Sequence, residues 1–394
     1  MPLPAAAFPL RTSGARILAA DGEPVTLGLG VNWGGAHQDE AVPYGLDVLD
    51  RAEIISRIAD EWGMTHVRFP FSVGGFVTPA GKLLTAAAPA GRLDANPDLK
   101  GMTAWQVYQR LVADMTTGRA AAGKNPLYVV LNQHLLHPGW CCSTADGNGL
   151  WYNANWPAGA FTACWKIIAT ALAANPHVGY DIHNEPRDTT ISGTTRHPTW
   201  GDGNPLTDFR HMYSDMAGTI RAIDHDALII CEGLSYASDL TAAGAHPVTA
   251  PGLPHGGPGI VYSAHDYPWF HQHADKTPQT RAEYFAVNDK KWGYLATQGK
   301  APVWVGEFGS NTDAADAAFN SGWFPDFMAY YAERPLAGAC WWELSATGVL
   351  GTEPSTNAVK VRAGQREGFG LMAGQDGRGS QTATLARLAP IAGL

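Results

Sequence analysis

The chain has 394 residues, of which 45% are hydrophobic and 16% charged, with 45 glycines and 27 prolines. This composition predicts a folded, loop-rich globular protein and excludes a disordered one. The net charge of -9 argues against a nucleic-acid partner, because such binding needs a basic surface. No apolar stretch approaches the roughly 20 residues that a membrane span requires.

The N-terminal segment and the cysteines bear on the cellular compartment. The start, MPLPAAAFPLRTSG, lacks the charged region and apolar core of a secretory signal. We expect a secreted protein whose signal has been removed, with an intracellular protein as the alternative. Cys231 and Cys340 lie in apolar runs and are predicted core residues. Cys141, Cys142 and Cys164 flank a predicted loop. We expect a disulfide from Cys141 or Cys142 to Cys164 to form more easily than one between Cys141 and Cys142, which are adjacent in the chain.

Eight short runs rich in Val, Ile, Leu and aromatic residues recur along the chain. They are VTLGLGVNW (25–33), THVRFPF (65–71), LYVVLNQH (127–134), VGYDIHNE (178–185), ALIICEG (227–233), IVYSAHDY (260–267), VWVGEF (303–308) and GACWWEL (338–344). Amphipathic segments predicted as helices cover 47–62, 103–122, 158–174, 205–223, 281–297 and 313–332. The link 237–259 is rich in Gly, Pro and Ala and is predicted to lack a helix.

Strands separated by helices require a parallel sheet. Eight such units predict the α/β class and a (β/α)8 TIM barrel with long βα loops, whose active site lies at the carboxyl ends of the strands. Because no linker or repeat divides the chain, we expect residues 1–394 to form one domain. A doubly wound sheet is the alternative, but the first strand is not followed by a complete G-x-G-x-x-G motif.

Polar and aromatic residues stand at the end of nearly every predicted strand. They are Asn32, Trp33, Arg68, Asn132, His134, Asn184, Glu185, His265, Tyr267, Glu307, Trp341 and Trp342. Asn132 with His134, and His265 with Tyr267, are i, i+2 pairs, so each pair should project from one face of its strand. Glu307 follows the apolar residues Val303 and Val305 at two-residue steps, so its side chain should point to the same face of the strand as theirs. We therefore expect these side chains to converge in one cleft.

Two carboxylates across a cleft suit glycosidic bond cleavage. One protonates the leaving oxygen, while the other attacks the sugar or activates water. Their repulsion should raise the pKa of one of them, and Arg68 and Tyr267 could keep the other ionised. Aromatic rings in loops favour a carbohydrate cleft, because sugar C–H faces stack on them. The chain has 14 tryptophans, and those placed in predicted loops are Trp33, Trp140, Trp151, Trp156, Trp200 and Trp269.

The motifs NEP at 184–186 and GEFG at 306–309 resemble those of glycoside hydrolase family 5, a group of retaining β-glycosidases. The likeness also covers VRFPF, LNQH, SAHDY and CWWELS, at Arg68, His134, His265, Tyr267 and Trp342. It implies that Glu185 is the general acid/base and Glu307 the nucleophile. The loop at 137–153 is closer to poorly characterised plant and actinobacterial relatives, and the segment after the last strand departs from the glucanase pattern.

The resemblance implies a retaining β-glycoside hydrolase without cofactor or metal, acting most readily on a β-1,4-glucan. The implied substrate-binding residues are Arg68, His134, Asn184, His265, Tyr267, Trp342 and Trp33. Asn184 would hold the sugar 2-hydroxyl, and Trp342 would lie beneath the reacting sugar, although the sequence leaves open which of Trp341 and Trp342 faces the cleft. We expect a monomer whose partner is a carbohydrate.

Three other interpretations stay open from sequence. An exo-acting β-glycosidase on a small glycoside, glycolipid or disaccharide conjugate would result if the loops 137–157, 187–204 and 344–368 close the cleft. A catalytically silent carbohydrate-binding barrel is the second. A metal-dependent hydrolase is the third, but its candidate ligands lack an H-E-x-x-H context. Those candidates are the pairs His134/His137 and His271/His273.

Overall fold

The computed structural model describes residues 2–39, 41–311, 317–345, 348–352, 359–362, 368–374 and 377–392. Eight parallel strands close into a barrel, as the alternation of strands and helices predicts. The barrel strands are β1 (Gly28–Asn32), β2 (His66–Ser72), β3 (Tyr128–Leu135), β4 (Val178–Asp181), β5 (Leu228–Glu232), β6 (Ile260–Asp266), β7 (Val303–Phe308) and β8 (Gly338–Trp341). Their order around the barrel follows the chain, with β8 paired to β1.

Helices follow the strands and cover the outside of the barrel. The longer ones are Arg51–Ser56, Ala104–Met115, Ala158–Leu172, Phe209–Arg221, Arg281–Asn288, Ala317–Glu333 and Thr382–Ala392. Shorter helical pieces are Arg57–Glu61, Val73–Phe76, Thr117–Ala121, Asp289–Gly293 and Tyr294–Thr297. Leu234–Ala237 is a turn with left-handed backbone. The link after Ala237 contains no further helix up to residue 259, as predicted. The start of the helix predicted from 313 lies outside the described residues.

Side-chain caps explain where several of these helices begin. Thr103 accepts a hydrogen bond from the Gln106 amide while the Gln106 side chain accepts from the Thr103 amide. Thr280 and Glu283 form the same reciprocal cap. Each cap satisfies amide groups that have no partner inside the helix. None of the helices within the described ranges is both long and apolar enough to cross a membrane.

The amino-terminal segment packs against the barrel end opposite the carboxyl ends of the strands. It contains a small antiparallel sheet of Arg11–Ser13, Arg16–Leu18 and Pro24–Val25. Phe8 lies against the ring of Tyr128 on β3, with centroids 5.8 Å apart. Further short hairpins are Thr189–Ile191 with Thr194–Arg196, Gly348–Thr352 with Val359–Arg362, and Met372–Ala373 with Gly379–Ser380.

The parity argument for Glu307 is wrong, although the residue does reach the cleft. Val303 and Val305 pack in the apolar cluster that contains helix residues such as Phe327, whereas Trp304 belongs to the second cluster, with Tyr128. The pairing register of β7 is irregular with both of its neighbours. It shifts after Val305 in the pairing with β8, and it shifts between Ala264 and His265 in the pairing with β6. These irregularities place Glu307 beside His265. Bulges of this kind re-aim side chains next to active sites.

Close packing between β1 and β2 inside the barrel generates a stability prediction. Gly30 pairs with His66, and a methyl group on Gly30 would overlap the His66 imidazole. His66 is fully buried and accepts a hydrogen bond from the Trp304 indole, so it has little room to move. We expect Gly30→Ala to lower the free energy of unfolding by about 1–3 kcal/mol, measured by urea denaturation.

Gly159→Ala is the matched control for that substitution. Gly159 lies in the helix Ala158–Leu172, and no atom lies within 4 Å of the added methyl group. We expect its unfolding free energy to be unchanged or slightly higher, since alanine favours helix. Equal stability of the two variants would show that the barrel interior can accommodate the extra carbon.

Candidate active site

A cavity of about 400 Å3 lies among the carboxyl ends of the barrel strands. Glu185 and Glu307 both line it, together with His37, His134 and the Cys141–Cys142 pair. Its aromatic lining consists of Trp140, Tyr236, Tyr267, Trp269, Phe270, Trp342 and Phe369. The strand ends therefore converge on one cavity, as the sequence pattern predicts.

Arg68 on β2 lies beneath the cavity and is fully buried. Its guanidinium donates hydrogen bonds to the carboxylates of Asp181, Glu232 and Glu307. It also donates to the amide oxygens of Asn32 and Asn184, at 3.0 and 2.7 Å. All five of its N–H groups thus have acceptors. The neighbouring carboxylates outweigh the effect of burial and raise the pKa of Arg68.

Glu307 accepts a hydrogen bond at each carboxylate oxygen. Arg68 donates to Oε1, and the Tyr267 hydroxyl donates to Oε2 at 2.8 Å. Burial raises the pKa of Glu307, while the charges on His265 and Arg68 act in the opposite direction. An ionised carboxylate can accept at both oxygens from such donors. Arg68 and Tyr267, the residues expected to keep one carboxylate ionised, are thus both bonded to Glu307.

Glu185 follows β4 in a left-handed backbone conformation, with φ of 47°. This conformation is unfavourable for a residue with a side chain and is typical of functional sites. Glu232 on β5 stabilises the turn, because its Oε2 accepts the Glu185 amide hydrogen bond at 2.7 Å. The Glu185 carboxylate lies 3.0 Å from Nδ1 of His265. The turn thus directs the side chain into the cavity while the backbone is anchored below.

His265 lies between three carboxylates. Its Nδ1 is 3.0 Å from Glu185 and 3.5 Å from Glu307, and its Nε2 is 3.6 Å from Glu232. Burial lowers the pKa of His265, but Glu307 and Glu232 outweigh it and raise that pKa to about 10. Burial raises the pKa of Glu232, but His265 and Arg68 bring it down to about 2. His265 is therefore a cation at neutral pH.

The separation of the two cavity carboxylates bears on the chemistry. One oxygen of Glu185, one oxygen of Glu307 and a ring nitrogen of His265 all lie within 4.8 Å of one another. Carboxyl groups about 5–5.5 Å apart are typical of retaining glycosidases, whereas inverting enzymes need about 6.5–9.5 Å. The same trio has metal-ligand spacing, and a metal ion there would have to displace the proton that the carboxylates favour on His265.

The other histidines proposed as metal ligands have separate partners. His134 is hydrogen-bonded to Asn132 at 2.9 Å. His271 is paired with Asp266, and His273 lies 3.5 Å from Glu283. His137 is partly buried near the loop after β3. A second group with metal-ligand spacing, Cys141, Cys142 and Glu185, has its two sulfur atoms joined in a disulfide.

Histidines and Trp342 form a second wall of the cavity. The ring of His134 stacks on Trp342, with centroids 5.3 Å apart and planes at 18°. His37 lies 4.5 Å from His134, ring to ring. Burial and the charge of Arg68 lower the pKa of His37 to about 3, and burial also lowers the pKa of His134. Neutral imidazoles of this kind can both donate to and accept from sugar hydroxyls.

The structure decides which of the two adjacent tryptophans faces the cavity. Trp341 is 1% exposed, and its indole donates to the carbonyl of Phe369. Trp342 is half-buried and lines the cavity. Trp342 is therefore the cleft residue, consistent with the assignment by resemblance.

The expectation that Trp33 binds substrate is wrong. Its side chain is fully buried, packs near Phe69 and donates its indole N–H to the Tyr44 carbonyl. Among the predicted loop tryptophans, Trp140 and Trp269 line the cavity. The other three, Trp151, Trp156 and Trp200, pack against the apolar core. The abundance of tryptophan in this chain therefore reflects core packing as much as a carbohydrate cleft.

The expected cysteine bridge is also wrong. Cys141 and Cys142 are bonded to each other, whereas Cys164 is buried and free. Cys164 lies on the helix Ala158–Leu172 and faces the core, with 1% of its surface exposed. Cys231 and Cys340 are buried and free, as predicted.

Several site residues were not singled out from the sequence. Glu232 and Asp181 each stand at the carboxyl end of a barrel strand, so an inward-facing acid at a strand end was the signal available. His37 and Tyr236 lie in loops, where strand periodicity gives no information. Of the loops expected to border the cleft, 137–157 contributes Trp140 and the cysteine pair. The loop 344–368 lies partly outside the described residues.

Comparisons with known proteins agree with this geometry. The family profile described as Cellulase (glycosyl hydrolase family 5) matches residues 18–348. An endoglucanase of Paenibacillus polymyxa is 26% identical over 355 residues, which cover 85% of this chain and 79% of that protein. A glycosyl hydrolase 5 family protein of Chamaecyparis obtusa is 27% identical, over 86% of this chain and 59% of its own length.

Solved structures show the same fold. The catalytic domain of the major endoglucanase from Xanthomonas campestris pv. campestris superposes with a TM-score of 0.75 at 20% identity, covering 98% of this chain and all of that one. A hyperthermophilic endocellulase from Pyrococcus horikoshii has the same TM-score and identity over 99% of this chain and all of that one. The barrel is therefore shared with these enzymes.

The contacts of His265 generate a prediction about its titration. Glu232→Gln removes one of the carboxylates that keep the imidazole protonated, so the pKa of His265 should fall below about 10. A raised histidine pKa stabilises the fold fully below the unfolded pKa of about 6.5, and this stabilisation is lost as pH rises through the folded pKa. In the variant the total stabilisation should therefore be smaller, and its loss should be complete at a lower pH. NMR titration of the imidazole and urea denaturation between pH 6 and 10 measure both effects.

Glu283→Gln is the matched control for this titration. Glu283 lies 3.5 Å from His273 in an exposed pair and does not line the cavity. Its replacement should leave the pKa of His265 unchanged. If both variants gave the same His265 titration, Glu232 would not be a source of the shift.

Proposed function

Because the chain belongs to glycoside hydrolase family 5, we propose that it hydrolyses internal bonds of β-1,4-linked glucans by double displacement. Glu307 is the nucleophile and Glu185 the general acid/base. The observation that carries this proposal is the pair of carboxylates with oxygens within 4.8 Å of each other in one cavity. That separation leaves no room for the water that an inverting enzyme places between its acids and the sugar.

The assignment of Glu307 as nucleophile rests on its contacts. Both of its oxygens accept hydrogen bonds, from Arg68 and Tyr267, which favour the ionised form and aim it into the cavity. In the first step, a Glu307 oxygen bonds to the anomeric carbon while the bond to the leaving oxygen breaks. Glu185 donates its proton to that oxygen, so the departing sugar leaves as a neutral alcohol.

In the second step, Glu185 acts as a base. It takes a proton from water, whose oxygen bonds to the anomeric carbon and displaces the Glu307 carboxylate. His265 lies beside both carboxylates and carries a positive charge. That charge stabilises the Glu185 carboxylate after Glu185 has given up its proton, and the Glu307 carboxylate after Glu307 has released the sugar. His265 is therefore proposed to support both steps.

Substrate contacts follow from the remaining groups around the cavity. Asn184 accepts from Arg68 through Oδ1, and its Nδ2 has no hydrogen-bond partner among the described residues. We assign that amide to the 2-hydroxyl of the reacting sugar. Trp342 provides an apolar face, and His134 provides a neutral imidazole beside it. Arg68 has protein acceptors for all of its N–H groups, so we assign it to positioning Glu307 rather than to substrate.

The β-1,4-glucan assignment is supported by relatives and by the cavity walls. The matched relatives include proteins named endoglucanase, and one structural neighbour is an endocellulase complex with cellotetraose. Several aromatic rings line the cavity around the carboxylate pair, among them Trp140, Trp269 and Trp342. Such an arrangement can hold sugars on either side of the cleaved bond, which internal cleavage requires.

We further propose that the protein acts outside the cell, as a monomer with one barrel domain. One relative is named the major extracellular endoglucanase of Xanthomonas campestris pv. campestris, and it is 26% identical over 58% of this chain and 42% of its own length. The Cys141–Cys142 disulfide supports this location, because disulfides persist in oxidising compartments.

Substitution of each carboxylate by its amide tests the two roles. Glu307→Gln should lose activity on every substrate, by at least about 1,000-fold, because no covalent intermediate can form. Glu185→Gln should lose activity on cello-oligosaccharides. It should still form the intermediate rapidly from 2,4-dinitrophenyl β-cellobioside, because that leaving group needs no proton. The burst of dinitrophenol measures the first step directly.

Glu333→Gln is the control for these variants, since Glu333 is an exposed surface acid. It should retain full activity on both substrates. A dinitrophenol burst from Glu307→Gln, or its complete absence from a folded Glu185→Gln, would contradict the assigned roles.

The products formed from a soluble β-1,4-glucan test internal cleavage. We expect a ladder of oligosaccharides and an early fall in viscosity, measured by chromatography and viscometry over time. Release of single units at constant viscosity would indicate exo action instead. A protein that binds the glucan without cleaving any β-glycoside in a panel would contradict the hydrolase assignment.

A further inference from the structure

The loop after β3 places a disulfide between adjacent cysteines in the cavity wall. Cys141 and Cys142 are both half-buried and line the cavity, directly after Trp140. Their sulfur atoms and a carboxylate oxygen of Glu185 all lie within 4.8 Å of one another. A disulfide at this distance from a proposed general acid is close enough to contact the substrate.

Buried contacts hold this loop against the turn that carries Glu185. Asp146, four residues after Cys142, forms an ion pair with Arg187 at 2.7 Å, and both side chains are buried. Arg187 also donates to the Glu185 carbonyl at 2.9 Å. The amide of Leu136, at the other end of the loop, donates to the Asn148 side chain. The disulfide is therefore attached to the same rigid unit as the carboxylate beside it.

Tyr236 lies on the same side of the cavity. It follows β5 in a turn where Ser235, Tyr236 and Ala237 all have positive φ, an unfavourable conformation for three residues with side chains. The Tyr236 amide donates to the Pro186 carbonyl, next to Glu185, and the side chain lines the cavity. Backbone strain maintained at a cavity wall is typical of a functional position.

We propose that the Cys141–Cys142 disulfide, with Trp140 and Tyr236, forms the wall that binds the sugar on the leaving-group side of the cleaved bond. This inference rests on the proposed function, because it uses Glu185 as the acid that protonates the leaving oxygen. That oxygen must lie within hydrogen-bond distance of Glu185. The sulfur atoms, within 4.8 Å of the same carboxylate, then contact the sugar that departs with it.

The chemistry of the wall suits the face of a glucosyl unit. A disulfide offers a polarisable apolar surface without strong hydrogen-bond donors, much as thioether sulfur packs against other apolar groups. The C–H face of a pyranose can pack on such a surface and on the Trp140 ring. The residues beside Glu307 differ, since Tyr267 donates to its carboxylate and Trp269 stacks on the Tyr267 ring. The disulfide therefore determines specificity for the departing part of the substrate.

The double variant Cys141→Ala/Cys142→Ala tests this role with two substrates. Cellotetraose places sugars on both sides of the cleaved bond, whereas cellobiosyl fluoride releases only fluoride, which is too small to touch the wall. We expect kcat/KM on cellotetraose to fall roughly 10-fold or more, the scale of losing one apolar contact. On the fluoride, kcat/KM should stay within about twofold of wild type. Equal losses on both substrates, or no loss on either, would overturn the proposal.

Reduction of the wild-type protein is an independent test that avoids a folding defect. Dithiothreitol converts the disulfide to two thiols and is itself oxidised to a cyclic disulfide. Free thiols can rotate away from the cavity. The ratio of kcat/KM on cellotetraose to kcat/KM on cellobiosyl fluoride should therefore fall on reduction and recover on reoxidation. The double variant, treated in the same way, should not respond. An unchanged ratio, with mass spectrometry showing both thiols free, would contradict the proposal.

Two outcomes separate this proposal from the function it rests on. If wild-type protein cleaves neither cellotetraose nor the fluoride, the proposed function fails. If it cleaves both and iodoacetamide labels Cys141 and Cys142 in unreduced protein, no disulfide exists and the wall proposal alone is overturned.

Discussion

The buried guanidinium of Arg68 is the interaction on which the rest of the site depends. One fully buried cation contacts carboxylates from β4, β5 and β7 and amides from the ends of β1 and β4. A buried charge is tolerated only when all of its donors have acceptors and opposite charge lies close by. Both conditions hold for Arg68, so the ends of four strands are tied to a single planar group on β2. Lysine could not replace this geometry, because it has three donors and no planar fork.

The acids around Arg68 would repel one another without a second cation. His265 supplies it, because its neighbours raise its pKa to about 10. Burial and the charge of Glu232 raise the pKa of Asp181 well above its usual range. Glu232, with a pKa of about 2, stays ionised beside both cations. The two buried cations thus offset negative charge of the acids packed around them.

Loops add specificity to this rigid centre. The proposed catalytic groups project from strand ends or the turns just after them, whereas the cavity walls come mainly from residues in βα loops, including Trp140, Tyr236 and Phe369. This division is typical of barrel enzymes, whose loops vary while the strands preserve geometry. The adjacent disulfide and the left-handed turn at 235–237 belong to the loop layer. They are the parts of the site where this chain can differ from relatives that share its barrel.

Local sequence determined the parts of this protein that depend on periodicity and chemistry. Alternating apolar runs and amphipathic segments predicted eight strands, most of the helices and the closed barrel, because side-chain spacing follows backbone geometry. Carboxylates and histidines at strand ends predicted the site, because parallel strands bring their carboxyl ends to one edge. Only the link 237–259 lacked a helical pattern, and it contains no helix.

Tertiary structure decided what spacing cannot express. The register shifts near Glu307 and His265 turn side chains to the other face, and pairing register depends on neighbouring strands distant in the chain. Burial separated Trp33 from Trp342, since both are tryptophans at strand ends and only packing determines which one contacts the cavity. The Cys141–Cys142 bond and the role of Glu232 likewise depend on distances between loops and strands. Those distances arise when the barrel closes, so no local pattern in the chain contains them.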